Sequence, residues 1–127
     1  MFSKTTTLKS FALLLICALL AGCGGAEGRK AKYLERSKSY IASQNFDKAT
    51  IELKNVLQID PKNGEAYYLL AQIEEKNKNY QQAFGYYFKS VELDPNNNEA
   101  RTRLGTFYLM SGDVAKAMEM TTTILSK

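Results

Sequence analysis

Residues Gln58–Ala66 read QIDPKNGEA, and residues Glu92–Ala100 read ELDPNNNEA. Both stretches run apolar residue, Asp, Pro, then Asn, Glu and Ala, and they set Pro61 and Pro95 34 residues apart. Proline lacks the N–H a helix needs and clashes with the preceding turn, so each Asp-Pro ends a helix that Ile59 or Leu93 closes. Asn63, and Asn97 or Asn98, are suited to cap the helix that follows, and Glu65 and Glu99 favour its positive first turn. The two stretches therefore read as punctuation between helical units, repeated because one unit cannot bury its apolar face alone.

Aligning the chain on this period gives units at 30–63, 64–97 and 98–127, the last stopping before an Asp-Pro of its own. Ala49, Ala83 and Ala117 share one column, and Ser37, Ala71 and Gly105 another. Both columns are small in every unit, as expected where two antiparallel helices cross closely. Asn45, Asn79 and Asp113 are good N-caps, so a second helix should start just after each, and Gly112 suits the left-handed end of the helix before it. Phe46, Tyr80 and Val114 follow these caps and are expected to wedge into the helix pair. Leu57, Val91 and Leu125 sit late in the second helix and should face the next unit, which predicts an exposed apolar edge at Ile124 and Leu125 and self-association through it. Arg36 and Glu74 depart from the pattern, since the other units have Leu70 and Leu104, then Tyr40 and Tyr108, in those columns.

The period and its columns resemble the tetratricopeptide repeat family over nearly the whole chain beyond the N-terminus. The resemblance implies an all-α fold, a right-handed superhelical solenoid of about three helix-turn-helix hairpins. It also implies scaffolding rather than catalysis, with a partner's helix or extended peptide held in a concave groove lined by the first helix of each hairpin. Carried onto this chain, the inward columns are Leu34, Lys38 and Ile41, then Tyr68, Gln72 and Glu75, then Thr102, Thr106 and Leu109. Each set is spaced by three or four residues and so shares one helix face. Tyr68 is the expected anchor, being central, aromatic and able to donate a hydrogen bond. The Lys/Asn pattern by which some relatives clamp a terminal carboxylate is not reproduced, because Leu34, Leu69 and Gln72 fall at or near those positions.

The N-terminus has a different character. Residues 1–10 carry Lys4 and Lys9 and no acid, and an uncharged apolar run, FALLLICALLAG, follows from Phe11 to Gly22. This run is shorter than the roughly 20 residues that span a bilayer, and a basic start followed by an apolar middle and a small-residue end reads as a secretory signal. Leu20-Ala21-Gly22-Cys23 resembles the lipobox of bacterial lipoproteins. That resemblance implies removal of residues 1–22, lipidation of Cys23, and anchoring by two or three acyl chains, enough for stable attachment. Residues 23–29, with Gly24-Gly25-Ala26-Glu27-Gly28, are expected to form a flexible tether. By the same resemblance, Gly24 stands where an Asp would signal retention in the inner membrane, which implies the periplasmic face of an outer membrane.

Composition narrows the chemistry. The whole chain carries a formal +4, but without Lys4 and Lys9 it holds 15 basic and 13 acidic residues, a net +2. That is too little for a nucleic-acid footprint. There is no His, and Cys17 and Cys23 are the only cysteines, so neither a metal cluster nor the usual nucleophile–base pair is available once Cys23 is lipidated. No enzyme activity and no cofactor are expected. Glu74-Glu75 reads as a solvated face, since adjacent helix residues point about 100° apart. Most of Tyr67, Tyr68, Tyr80, Tyr86, Tyr87 and Phe88 read as core, and Arg29, Lys30, Lys32, Arg36 and Lys38 as a basic helix face near the anchor, with acidic lipid head groups as its alternative contact. Ala49–Asn63, ATIELKNVLQIDPKN, also resembles tetratricopeptide lipoproteins that accompany exopolysaccharide and PEP-CTERM sorting systems. Pilus-assembly pilotins, of similar design with more repeats, and outer-membrane assembly factors are the alternatives, followed by an enzyme acting on envelope glycans, against which the missing residue types argue.

Overall fold

The computed structural model describes residues 25–125, in six helices joined by short turns: α1 (residues 25–42), α2 (Phe46–Ile59), α3 (Gly64–Lys76), α4 (Tyr80–Leu93), α5 (Asn98–Met110) and α6 (Val114–Leu125). Both Asp-Pro turns stop a helix as their chemistry requires. The Asp60 and Asp94 N–H groups still bond back to the Val56 and Ser90 carbonyls, while their carboxylates accept the N–H of Lys62 and Asn96, each at 3.2 Å. Asn63 and Asn97 then cap α3 and α5 by accepting from the Ala66 and Ala100 N–H groups at 2.8 and 2.9 Å. The three units are thus the hairpins α1–α2, α3–α4 and α5–α6.

The small columns mark the crossings. Ala49, Ala83 and Ala117 are buried, as are Ser37, Ala71 and Gly105. Around them lie two apolar clusters, one built on Leu53, Val56, Leu70 and Ile73, the other on Ala83, Tyr87, Leu104 and Tyr108. Tyr68 and Tyr86 pack against both. At one crossing side-chain volume is limiting, for a Cβ on Gly64 would stand 3.0 Å from the Asp94 Cβ. In the preceding unit the same two columns hold Lys30 and Asp60, which instead pair at 3.2 Å.

Four expectations are corrected. Residues 25–29, expected within the flexible tether, belong to α1. Ala26, Glu27, Arg29 and Lys30 are good helix formers, and Glu27 pairs with Lys30 one turn on at 2.7 Å. Asn45 and Asp113 cap their helices, accepting from Lys48 and Lys116, but Asn79 does not. Its amide turns away to donate to Glu74 Oε2 at 2.8 Å, so the carboxylate that breaks the aromatic column also removes the cap. Phe46 packs into the first cluster, whereas Tyr80 and Val114 stay about half exposed, at 51% and 54%. Tyr80 lies against Phe107 across the unit boundary, and no further unit among the described residues covers Val114. The basic face of α1 is largely neutralised: Lys30 pairs with Glu27 and Asp60, Arg36 with Glu52 and Lys38 with Glu65.

The Arg36–Glu52 pair, at 2.7 Å, fills columns that hold Leu70 and Tyr86 in the second unit. Glu52 is buried, and its Oε2 has no hydrogen-bond partner among the described residues. The segment 1–24, with Cys23, lies outside the described residues, as do the side chains of Ile124 and Leu125. Among those described, no helix is long and apolar enough to cross a membrane.

Candidate functional site

The first helix of each hairpin, α1, α3 and α5, contributes to one groove. Its larger part is a cavity of about 750 Å³ at the C-terminal ends of α1 and α3, lined by Ile41, Gln72 and Glu75 together with Phe46, Lys76 and Arg103. Gln44, Lys78 and Tyr80 line it as well. An adjoining hollow of about 590 Å³ is lined by Tyr68, Gln72, Glu99, Thr102 and Arg103. Gln72 and Arg103 border both.

Polar bonds cross this surface from hairpin to hairpin. Lys38 on α1 reaches Glu65 on α3 at 2.6 Å. The Tyr68 hydroxyl donates to Oε2 of Glu99 on α5 at 2.8 Å and accepts from Nε2 of Gln72 at 2.8 Å. Arg103 on α5 reaches Oε1 of Glu75 on α3 at 3.4 Å, and the Tyr87 hydroxyl donates to the other oxygen at 2.7 Å. Burial, reinforced by the bond to the Glu99 carboxylate, pushes the Tyr68 hydroxyl up to about 12. Burial and the Glu75 carboxylate push the Tyr87 hydroxyl upward as well. Both phenols are therefore held neutral, as donors to carboxylates.

Of the nine inward residues expected, Ile41, Tyr68, Gln72, Glu75 and Thr102 come together in the groove. Leu34 instead packs into the first apolar cluster, and Lys38 is engaged by Glu65. The hydroxyls of Thr102 and Thr106 turn back to the carbonyls four residues earlier, so the helix backbone occupies them. Leu109 is exposed on the last hairpin, 58% accessible, beside Met110 at 73%. Glu74 and Glu75 are both partly buried and bonded, rather than a solvated face.

Sequence reading missed Arg103, Lys76, Lys78 and Gln44. Arg103 lies one residue beyond the inward column at Thr102, and its column holds Glu35 and Leu69 in the other units, so the period does not flag it. A usable signal was the column Gln44, Lys78, Gly112, in which two long polar residues stand where the third unit has glycine. Among the described residues, no group of three His, Cys, Asp or Glu side chains is placed to hold a metal.

A curated relative, BBSome complex member BBS4 from Bos taurus, is 36% identical over 80 residues, 63% of this chain and 15% of that protein. Among solved structures, the second TPR of Spaghetti (RPAP3), bound to the HSP90 peptide SRMEEVD, superposes with a TM-score of 0.68 at 17% identity over 80% of this chain and 96% of that one. MamA superposes with a TM-score of 0.67 at 18% identity over 76% of this chain and 57% of its own. The chain thus spans a small part of that curated relative and little more than half of MamA, and the structural likenesses establish the fold alone. The tetratricopeptide repeat model matches residues 40–83 and 76–127, most of the described helices, and the chain belongs to the tetratricopeptide repeat family.

Proposed function

We propose that this chain is a lipid-anchored binding module of the bacterial cell envelope, holding a partner's helix or extended peptide against α1, α3 and α5. The observation that carries this reading is the continuous groove in which Ile41, Tyr68, Gln72, Glu75 and Arg103 meet from three separate hairpins. Its walls are prearranged by the Tyr68–Glu99 and Arg103–Glu75 bonds, so little ordering remains to oppose binding. The reading also draws on the apolar run ending in Leu20-Ala21-Gly22-Cys23, which supports the lipid anchor, and on Gly24 after it, which favours the periplasmic face of an outer membrane. The likeness of Ala49–Asn63 to lipoproteins of exopolysaccharide and protein-sorting systems supports an assisting role there. Self-association through the edge at Ile124 and Leu125 is part of this reading, and the exposure of Leu109, Met110 and Met118 on the same hairpin is in keeping with it.

The test is photo-crosslinking in living cells from Tyr68 in the groove and from Lys89 on α4. The expected result is a partner captured from Tyr68 and not from Lys89. Equal capture of the same proteins from both positions overturns the groove as the binding face. Metabolic labelling with a fatty-acid analogue examines the anchor: label present in the wild type should vanish in Cys23→Ala, and equal labelling of both rules the anchor out.

A further inference from the structure

Gln44, Lys78 and Gly112 hold one position in the three hairpins, in the turn between first and second helix. All three have left-handed backbone, with φ of 58°, 63° and 82°. Glycine adopts this conformation freely, whereas glutamine and lysine are strained there. The turn itself asks for no side chain. The N–H groups of Gln44, Lys78 and Gly112 make equivalent bonds, to Ile41, Glu75 and Leu109 carbonyls at 3.0, 3.1 and 3.1 Å. A glycine would make the same bond in all three units. The first two units nevertheless carry long polar residues here, and both residues line the large cavity of the groove. Backbone strain retained in this way is characteristic of sites where a side chain is needed.

The groove's charge indicates what the side chains meet. Lys76, Lys78 and Arg103 line its larger cavity against one carboxylate there, Glu75, which Tyr87 and Arg103 already engage, while Glu99 in the adjoining hollow is engaged by Tyr68. Lys76 and Lys78 have no carboxylate partner among the described residues. Ile41, Phe46 and Tyr80 give the same cavity an apolar wall. We infer that Gln44 and Lys78 are ligand-contacting residues, and that the groove takes an acidic peptide segment which sets one large apolar side chain against Ile41, Phe46 and Tyr80 and its carboxylates against Lys76, Lys78 and Arg103. This rests on the groove being the binding face.

The experiment uses the full chain in a non-ionic detergent and three synthetic peptides with identical leucine spacing, the intervening residues being glutamate, glutamine or lysine. Anisotropy reports binding, and urea midpoints report stability. The glutamate peptide should bind tightest, and more weakly as salt rises. Lys78→Gly should lower its affinity about three- to fivefold, as for a partly exposed charge pair, while raising the urea midpoint. Lys78→Asn, which keeps a residue tolerant of left-handed backbone, should lose affinity similarly. Opposite signs for stability and affinity separate a binding residue from a structural one. Equal binding of the three peptides, or unchanged affinity in both Lys78 variants, overturns the proposal while leaving the groove itself to the Tyr68 crosslinks. Absence of binding by every peptide overturns it too, and capture from Tyr68 would then show that the groove takes a partner of other chemistry.

Discussion

The hydroxyl of Tyr87, whose side chain is fully buried in α4, donates at 2.7 Å to Oε2 of Glu75 on the groove side of α3. A core residue thereby fixes a surface carboxylate from behind, and Arg103 meets the same carboxylate from α5. Tyr87→Phe keeps the ring and removes only this bond. It should lower unfolding free energy by about 1–2 kcal/mol, toward the low end for a hydrogen bond to a charged group because the acceptor retains some access to water. Urea denaturation of the two proteins measures this, and an unchanged midpoint would mean that water replaces the phenol without loss.

Alkaline pH should weaken the fold through the same groups. Tyr68 and Tyr87 both hold their protons more tightly folded than unfolded, Tyr68 to about 12. A raised folded value contributes stability that is complete below the ordinary tyrosine value near 10 and is lost as pH climbs toward the folded one. Urea midpoints should therefore fall above about pH 10. The Tyr68→Phe, Tyr87→Phe double variant should fall less steeply, and parallel curves would refute the assignment.

Two glycines should respond in opposite directions to alanine. A Cβ at Gly85, in the middle of α4, meets nothing within 4 Å, so Gly85→Ala should stabilise by about 0.5–1 kcal/mol through lower unfolded-state entropy. A Cβ at Gly64 meets the Asp94 Cβ at 3.0 Å, with backbone close behind, so Gly64→Ala should destabilise. Thermal midpoints that move the same way for both would contradict the described approach of α3 to the end of α4.

The Arg36–Glu52 pair offers a test by transplantation. Arg36→Leu leaves a buried carboxylate unpaired and should cost roughly 2–4 kcal/mol, somewhat below the range for wholly buried pairs because Arg36 is partly exposed. Adding Glu52→Tyr recreates the Leu70/Tyr86 combination of the second hairpin and should restore most of the loss. If the double variant is no more stable than the single one, the first and second hairpins do not pack equivalently.

What was legible in the sequence is what the period repeats. Asp-Pro at 60–61 and 94–95, the alanines at 49, 83 and 117, and the Asn63 and Asn97 caps each solve one local problem in every unit, and they placed the helices. The groove was half legible, because facing residues follow from helical spacing while their bonds do not. Arg103 finds Glu75 across 28 residues, off any shared column, and Leu34 is drawn inward by the apolar cluster instead of facing a ligand. The missing Asn79 cap was readable only by noticing that Glu74, five residues before it, offers its amide a competing acceptor.

Tyr68 and Tyr86 pack against both apolar clusters, which makes the middle hairpin the keystone of the stack. In a linear array each hairpin leans only on its neighbours, so the outer two should open and close while α3–α4 stays shut. Amide exchange should accordingly be slowest in α3 and α4 and faster in α1 and α6. The groove draws walls from α1 and α5 on either side of this hairpin, so an occupant spanning them would slow exchange far from any atom it touches. Occupancy would then be readable as rigidity at the ends of the molecule.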